Sequence, residues 1–211
     1  MPEQKQVVAV RINVRDVRIA FLERDDMEKA AHERPVLIPG TMQIQLAPRV
    51  ASAPLHGDGR LRYQVDRVDG YDVTFDHNKV PPKILAKMLG QEYDAGTGVR
   101  RSNVDGVPKA FAFGFVVDLT EGHLELTWLP KCKAAPANRN AQQTAGSVEY
   151  STDSLTLTAM PLEYNGDYEY IADTSDPESG FTKDKAEAFF NEVLTLPPRS
   201  PNAPDAGDGY G

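Results

Sequence analysis

Residues 109–134 read KAFAFGFVVDLTEGHLELTWLPKCKA, and no other stretch constrains the chain so tightly. Large apolar side chains fall on alternate positions, Phe111, Phe113, Phe115 and Val117, and again after a Thr-Glu-Gly turn at Leu124, Leu126 and Trp128. A helix repeats every 3.6 residues and a strand every two, so this spacing predicts a β-hairpin with one face buried. A lone hairpin is marginal in water and needs further strands or a helix against its apolar face. The rest of the chain has to supply them.

Residues 6–22 alternate Val8, Val10, Ile12 and Val14 against polar positions, then slip register at Arg15-Asp16, which predicts a strand broken by a bulge or turn. Residues 23–35 are charged and lack strand pattern, as a solvated loop or a short helix would. After Pro39-Gly40, Met42, Ile44 and Leu46 alternate until Pro48 limits the strand to an edge or ends it. The small, polar stretch 51–59 reads as a mobile loop, and 61–75 as two strand segments around Asp69-Gly70. PPKILAKMLG (81–90) is predicted as a helix, with prolines in its first turn, one stripe of Ile84, Leu85, Met88 and Leu89, and Gly90 past its end.

Residues 91–108 form a turn-rich connection, and 133–147 have almost nothing to bury and read as a flexible loop. Two strands follow with Asn165-Gly166 as the hairpin signal between them. A second helix is predicted over 182–194, with Thr182 as N-cap and Ala186, Phe189, Phe190 and Val193 as the buried stripe. The sum is a mainly β fold, a β-sandwich or partial barrel with a flanking helix, over residues 1–175. A helical extension (176–196) and a disordered tail (197–211) complete the expected organisation.

Composition narrows the function. A net charge of −8 over 211 residues argues against a protein that grips phosphate backbones, which takes clustered Lys and Arg. One cysteine, Cys132, excludes an internal disulfide framework and fits a reducing compartment. The N-terminal MPEQKQVVAVRINV has no apolar h-region, so no secretory signal is expected. The four histidines, His32, His56, His77 and His123, show no metal-ligand spacing, and Cys132, although flanked by lysines, has no base to activate it and reads as a buried thiol. Gly96-Thr-Gly98 lacks the strand-to-helix setting of a phosphate loop. No catalytic group, metal or cofactor is expected.

The order and spacing of LIPGTMQIQLAP, PPKILAKMLGQEYDAGTGV, PKAFAFGF, LTWLPKCKA and TDSLTLTAMP resemble the major tail protein family, the tail tube proteins of long non-contractile-tailed bacteriophages. The likeness runs over residues 7–173. It implies a β-sandwich with a flanking helix whose copies form hexameric rings, stacked into a tube in the virion tail through which genome DNA passes. It also implies tape-measure, tail terminator and distal tail proteins as partners, assembly in the host bacterial cytoplasm, no membrane and no enzymatic activity. The roughly forty residues after the last strand are too few for the immunoglobulin-like domain that some members carry.

On that expectation, strand edges left unpaired in one copy pair with its neighbours, and ring closure removes them. An acidic lumen repels phosphates within a Debye length of ~8 Å at physiological salt. Asp66, Asp69, Glu149 and Asp153 are the expected lumen-facing carboxylates. The segments 23–35, 51–59 and 133–147 are the expected assembly loops. The competing expectations are a monomeric β-sandwich binding module and a tube component of a contractile-injection or type VI secretion system.

Overall fold

The computed structural model describes residues 9–57, 60–136, 153–176 and 179–199. In chain order the strands are β1 (Arg11–Asp25), β2 (Ala30–His32), β3 (Val36–Ile38), β4 (Thr41–Gly57) and β5 (Arg60–His77). Helix α1 (Pro82–Met88) follows, then β6 (Glu92–Tyr93), β7 (Arg100–Arg101), β8 (Phe111–Leu119), β9 (Leu124–Ala134), β10 (Asp153–Ala159), β11 (Tyr170–Asp173) and helix α2 (Lys183–Phe189). All but β6 and β7 join one antiparallel sheet in the order β2-β1-β8-β9-β10-β5-β4, with β3 beside β1 and β11 beside β9. The protein is mainly β, as its periodicity predicts.

The β8–β9 hairpin forms as expected and lies at the centre of the sheet, but both of its faces are buried. Phe111, Phe113 and Phe115 enter a core shared with Val17 and Ile19 of β1, Val73 and Phe75 of β5, and Leu155 and Leu157 of β10. The opposite face, Ala112, Val116, Leu126 and Trp128, lies under α2, with Ala186 of the helix and Phe190 just past its end buried against it. Gly114 makes this second layer possible. A Cβ there would stand 2.6 Å from the Trp128 ring and 2.8 Å from Phe190. Trp128 Nε1 donates to the Phe189 carbonyl at 3.2 Å, so α2 is tied down at its last turn.

β1 carries the expected irregularity at Asp16, which has φ 53° and sits where the register to β8 skips between Arg15 and Arg18. Beyond it, residues 23–35 form no helix, and the expected loop is confined to 26–29 and 33–35. The strand runs on to Asp25 and turns back as β2, because the Asp26 carboxylate accepts the backbone N–H groups of Glu28 (2.9 Å) and Lys29 (3.0 Å). Asp25, 5% exposed, then accepts Lys131 Nζ at 2.6 Å and the backbone N–H groups of Glu163 and Tyr164, which joins this hairpin to β9 and the loop before β11.

Two further expectations are corrected. The stretch 51–57 belongs to β4, and Asp69-Gly70 is no turn: β4 and β5 pair from Thr41↔His77 to Gly57↔Arg60 as one long hairpin, with a bulge opposite Arg49. Gly70 (φ 136°) is required for contact instead, since a Cβ would lie 2.1 Å from the Ala159 carbonyl oxygen. Asn165-Gly166 does turn the chain, but the strands on either side do not pair with each other. β10 pairs with β5 and with Cys132–Ala134 of β9, while β11 takes the same margin of β9 at Glu125–Trp128. The predicted loop 133–147 and tail 197–211 lie largely outside the described residues.

The sheet curls toward closure. β3 pairs with β1 at Val17–Ile19, and the chain then passes Pro39-Gly40 into β4, which pairs with β5. The two margins of the sheet are thereby joined near α1, whose Met88, with Ile84, Leu85 and Leu89, plugs that end of the core. Toward the other end β1 (Arg11–Val14) and β4 (Ile44–Leu46) diverge, leaving a slot of about 470 Å³. No described helix is long and apolar enough to cross a membrane.

Candidate functional site: an uncovered wall, an arm and a slot

Core-facing residues alternate with outward ones along β4, β5 and β10, and among the described residues no layer covers the outward set. Register places Gln43, Asp76 and Ser154 in one row, Gln45, Thr74 and Thr156 in the next, and Ala47, Asp72 and Thr158 in a third. All nine are exposed or half-buried, and none is Lys or Arg. The nearest cations stand at its margins. Lys133 on β9 is opposite Thr158, and Arg49 lies at the arm root within 3.4 Å of the Asp69 carboxylate and 4.0 Å of Asp72. β10 pairs only with β5 residues 71–77, so past Tyr71 the β4–β5 hairpin continues as a two-stranded arm. Every described side chain from Val50 to Ala53 and from Arg60 to Asp69 is exposed, among them Val50 (53%) and Tyr63 (64%). The outer backbone edge of β4 has no partner among the described residues.

The slot has an apolar floor of Val14, Ile44, Leu46, Phe115 and Val117. At its rim Tyr71 donates to the Glu169 carboxylate at 3.0 Å, and Arg11 holds Glu125 with two hydrogen bonds, at 2.8 and 3.0 Å. Burial raises the Glu169 carboxyl above its ordinary value; Tyr71 and Arg11 oppose this and Glu125 adds to it. The Tyr71 phenol is pushed up to about 12, by burial first and by Glu169 second.

The four expected carboxylates do not form one surface. Asp66 lies on the arm, accepting from Ser52 Oγ (2.6 Å) and Gln64 Nε2 (2.9 Å), and Asp69 lies at the arm root beside Arg49. Asp153 opens β10 opposite His77, at the far end of β5 from Asp66. Glu149 lies outside the described residues. Charge in the sequence pointed to these positions, whereas the wall is made mostly of Gln, Thr and Ser, whose only signal is the polar half of an alternating strand.

The remaining groups with chemical potential are occupied structurally. Cys132 is fully buried, and burial drives its thiol far above its ordinary value. His32 bonds the Pro130 carbonyl (2.8 Å), with its basicity lowered by burial, and His123 bonds the Thr174 carbonyl (3.0 Å). No protein-family profile matches the chain, and no curated protein matches it either.

Proposed function

We propose that this chain is the structural subunit of a phage tail tube, which assembles from identical copies into stacked hexameric rings and passes DNA through its lumen. The observation that carries this reading is the β4-β5-β10 wall, a three-stranded polar face without Lys or Arg. A face free of cations does not bind phosphates, which suits the wall of a conduit for a polyanion. Asp72 and Asp76 supply its negative charge, and the hydroxyls and amides hold water rather than phosphate.

The open edge of β4 and the bare arm support assembly. A two-stranded ribbon exposed on both faces is marginal alone, and unpaired edges invite pairing with another chain. Neighbouring copies would cover both. Contacts of this obligate kind bury on the order of 2,000 Å² or more. Tape-measure, terminator and distal tail proteins are the partners that would fill the lumen and fix the length of the tube.

Negative-stain microscopy of concentrated protein tests the reading. Tubes or stacked rings are expected, and compact particles that stay monodisperse even beside a tail-tip nucleus would refute it in favour of a monomeric binding module. A second experiment addresses the wall. Replacing Thr74, Asp72 and Asp76 with lysine should give tubes that retain DNA at low salt and release it steeply as salt rises, with a log–log slope of several units. Lysine tubes as indifferent to DNA as the unmodified ones would move the lumen to another face.

A further inference from the structure

Apart from those on the arm (Val50, Tyr63, Val68) and along β3 and β4 (Val36, Leu37, Met42), two groups of exposed large apolar residues stand at opposite ends of the molecule. Around the slot stand Val10 (56%), Ile12 (67%) and Ile171 (56%). At the other end the connection after α1 carries Val99 (57%), Val104 (102%) and Val107 (80%). β1 measures the separation. It lines the slot at Arg11–Val14 and reaches the α1 end at Phe21, where Lys87 of α1 sits 4.1 Å from the ring centroid. Its partner β8 covers the same span, Leu119 to Phe111, in eight residue steps, about 27 Å. The valines belong to that far end, because Lys109 donates to the Lys87 carbonyl and the Val107 backbone crowds Gly90.

We infer that the slot is a socket for the 99–107 connection of a second copy, so that copies join head to tail along the direction of β1. This rests on the tube reading and gives it a stacking contact. The two surfaces differ, so the contact is heterologous and does not close, which makes a filament rather than a dimer. The chemistry matches: the slot floor is apolar and its polar rim is internally paired, Tyr71 with Glu169 and Arg11 with Glu125. The occupant, Val104-Asp-Gly-Val107, brings two valines and one charge.

The alternative occupant within the same chain, the β4–β5 arm, fits less well. It departs from the slot's own end, because Tyr71 both lines the slot and roots the arm. For copies set end to end, an arm entering the other copy's slot would require the two slots to face each other, a twofold arrangement that stops at two. In the head-to-tail arrangement the arm has a different use. Its β4 half, residues 49–57, extends about 30 Å past the root and lies along the flank of the incoming copy. That adds the area which two valines cannot supply toward the ~1,200 Å² of a stable contact.

The test uses two variants of the full chain. Ile12→Glu with Ile171→Glu blocks the socket, and Val104→Glu with Val107→Glu blocks the plug; all four side chains are exposed, so thermal melts should match the unmodified protein. By microscopy and sedimentation each variant alone should form rings with a complete loss of stacking. Mixed, they should give pairs of rings and nothing longer, because each keeps one working surface. Stacks that grow normally from either variant would overturn the inference, as would a mixture that yields only single rings. Unmodified protein that forms rings but never stacks would also overturn it while leaving the ring reading in place. Head-to-tail chains without rings would support the socket and refute the tube.

Discussion

Gly114→Ala is the most informative single change in the fold, because one methyl group decides whether the second layer can dock. The added Cβ would lie 2.6 Å from Cε3 and Cζ3 of Trp128 and 2.8 Å from Cε1 of Phe190, where carbon atoms settle at about 3.5–4.0 Å. Neither ring can rotate away easily. Trp128 is fully buried and holds the Phe189 carbonyl through its indole N–H, while Phe190 packs edge-on to it at 5.1 Å between centroids. The strain is relieved only if the Trp128 ring moves away from β8 into the space Phe190 fills, which forces α2 to lift with it and strains that hydrogen bond. Overpacking of this kind costs about 1–3 kcal/mol, and replacing a strand glycine returns about 0.5–1 kcal/mol in conformational entropy. The net expectation is a loss of about 1–2 kcal/mol, or roughly 2–8 °C in melting temperature for a chain of this size. The chain has one tryptophan, and it is Trp128, so its emission reports the site directly. It should shift to the red, and a truncation before Thr182 should show the same shift. A variant as stable as the unmodified protein, with unmoved emission, would refute the argument that Gly114 is what admits α2.

Lys131→Met should cost about 2–3 kcal/mol by denaturant titration, less than the ~3–5 of a fully buried broken pair because Asp25 keeps its backbone donors, and adding Asp25→Asn should recover part of that loss. Glu33 gives a pH signature. Burial alone would raise its carboxyl, but hydrogen bonds from Lys87 (2.6 Å) and Lys109 (3.0 Å) outweigh it and hold the group below its ordinary 4.5. The stabilisation is therefore complete above that ordinary value and fades as pH falls through the lowered one, so the gap in melting temperature between the unmodified protein and Glu33→Gln should be present at neutral pH and shrink in acid. The Cys132 thiol, raised by burial, should ignore a water-soluble disulfide reagent in the native protein and react at the rate of unfolding; prompt native reaction would contradict the core placement.

Local signals were readable and pairings were not. The 109–134 hairpin, α1, and the irregularity at Arg15-Asp16 follow from spacing within a dozen residues. The strand at 51–57 was hidden because Ala51, Ser52, Ala53 and Pro54 carry no alternation of their own, and it forms by pairing with Arg60–Arg67, which does not depend on side chains. Asn165-Gly166 marks a turn in any context, but which strands meet across it depends on β9, whose margin has room for both β10 and β11. Gly114 reads as a gap in the apolar pattern, and only the position of Trp128 gives it meaning. The wall was missed for a related reason. Alternation tells which residues share a face, and nothing local tells whether another layer will cover it.

The pairing of β1 with β8 also sets the order of events during synthesis. Arg11 meets Leu119 across that ladder, so β1 has only the short strands β2 and β3 to pair with until about a hundred further residues have been made and β8 exists. At about 5–20 residues per second the wait is on the order of 5–20 seconds. Throughout it, the β8-facing edge of a strand rich in valine and isoleucine is open on every nascent chain of a polysome, side by side with identical copies. For a polypeptide with open edges, the hazard of premature association therefore begins on the messenger RNA, and slow translation upstream of Phe111 would worsen it.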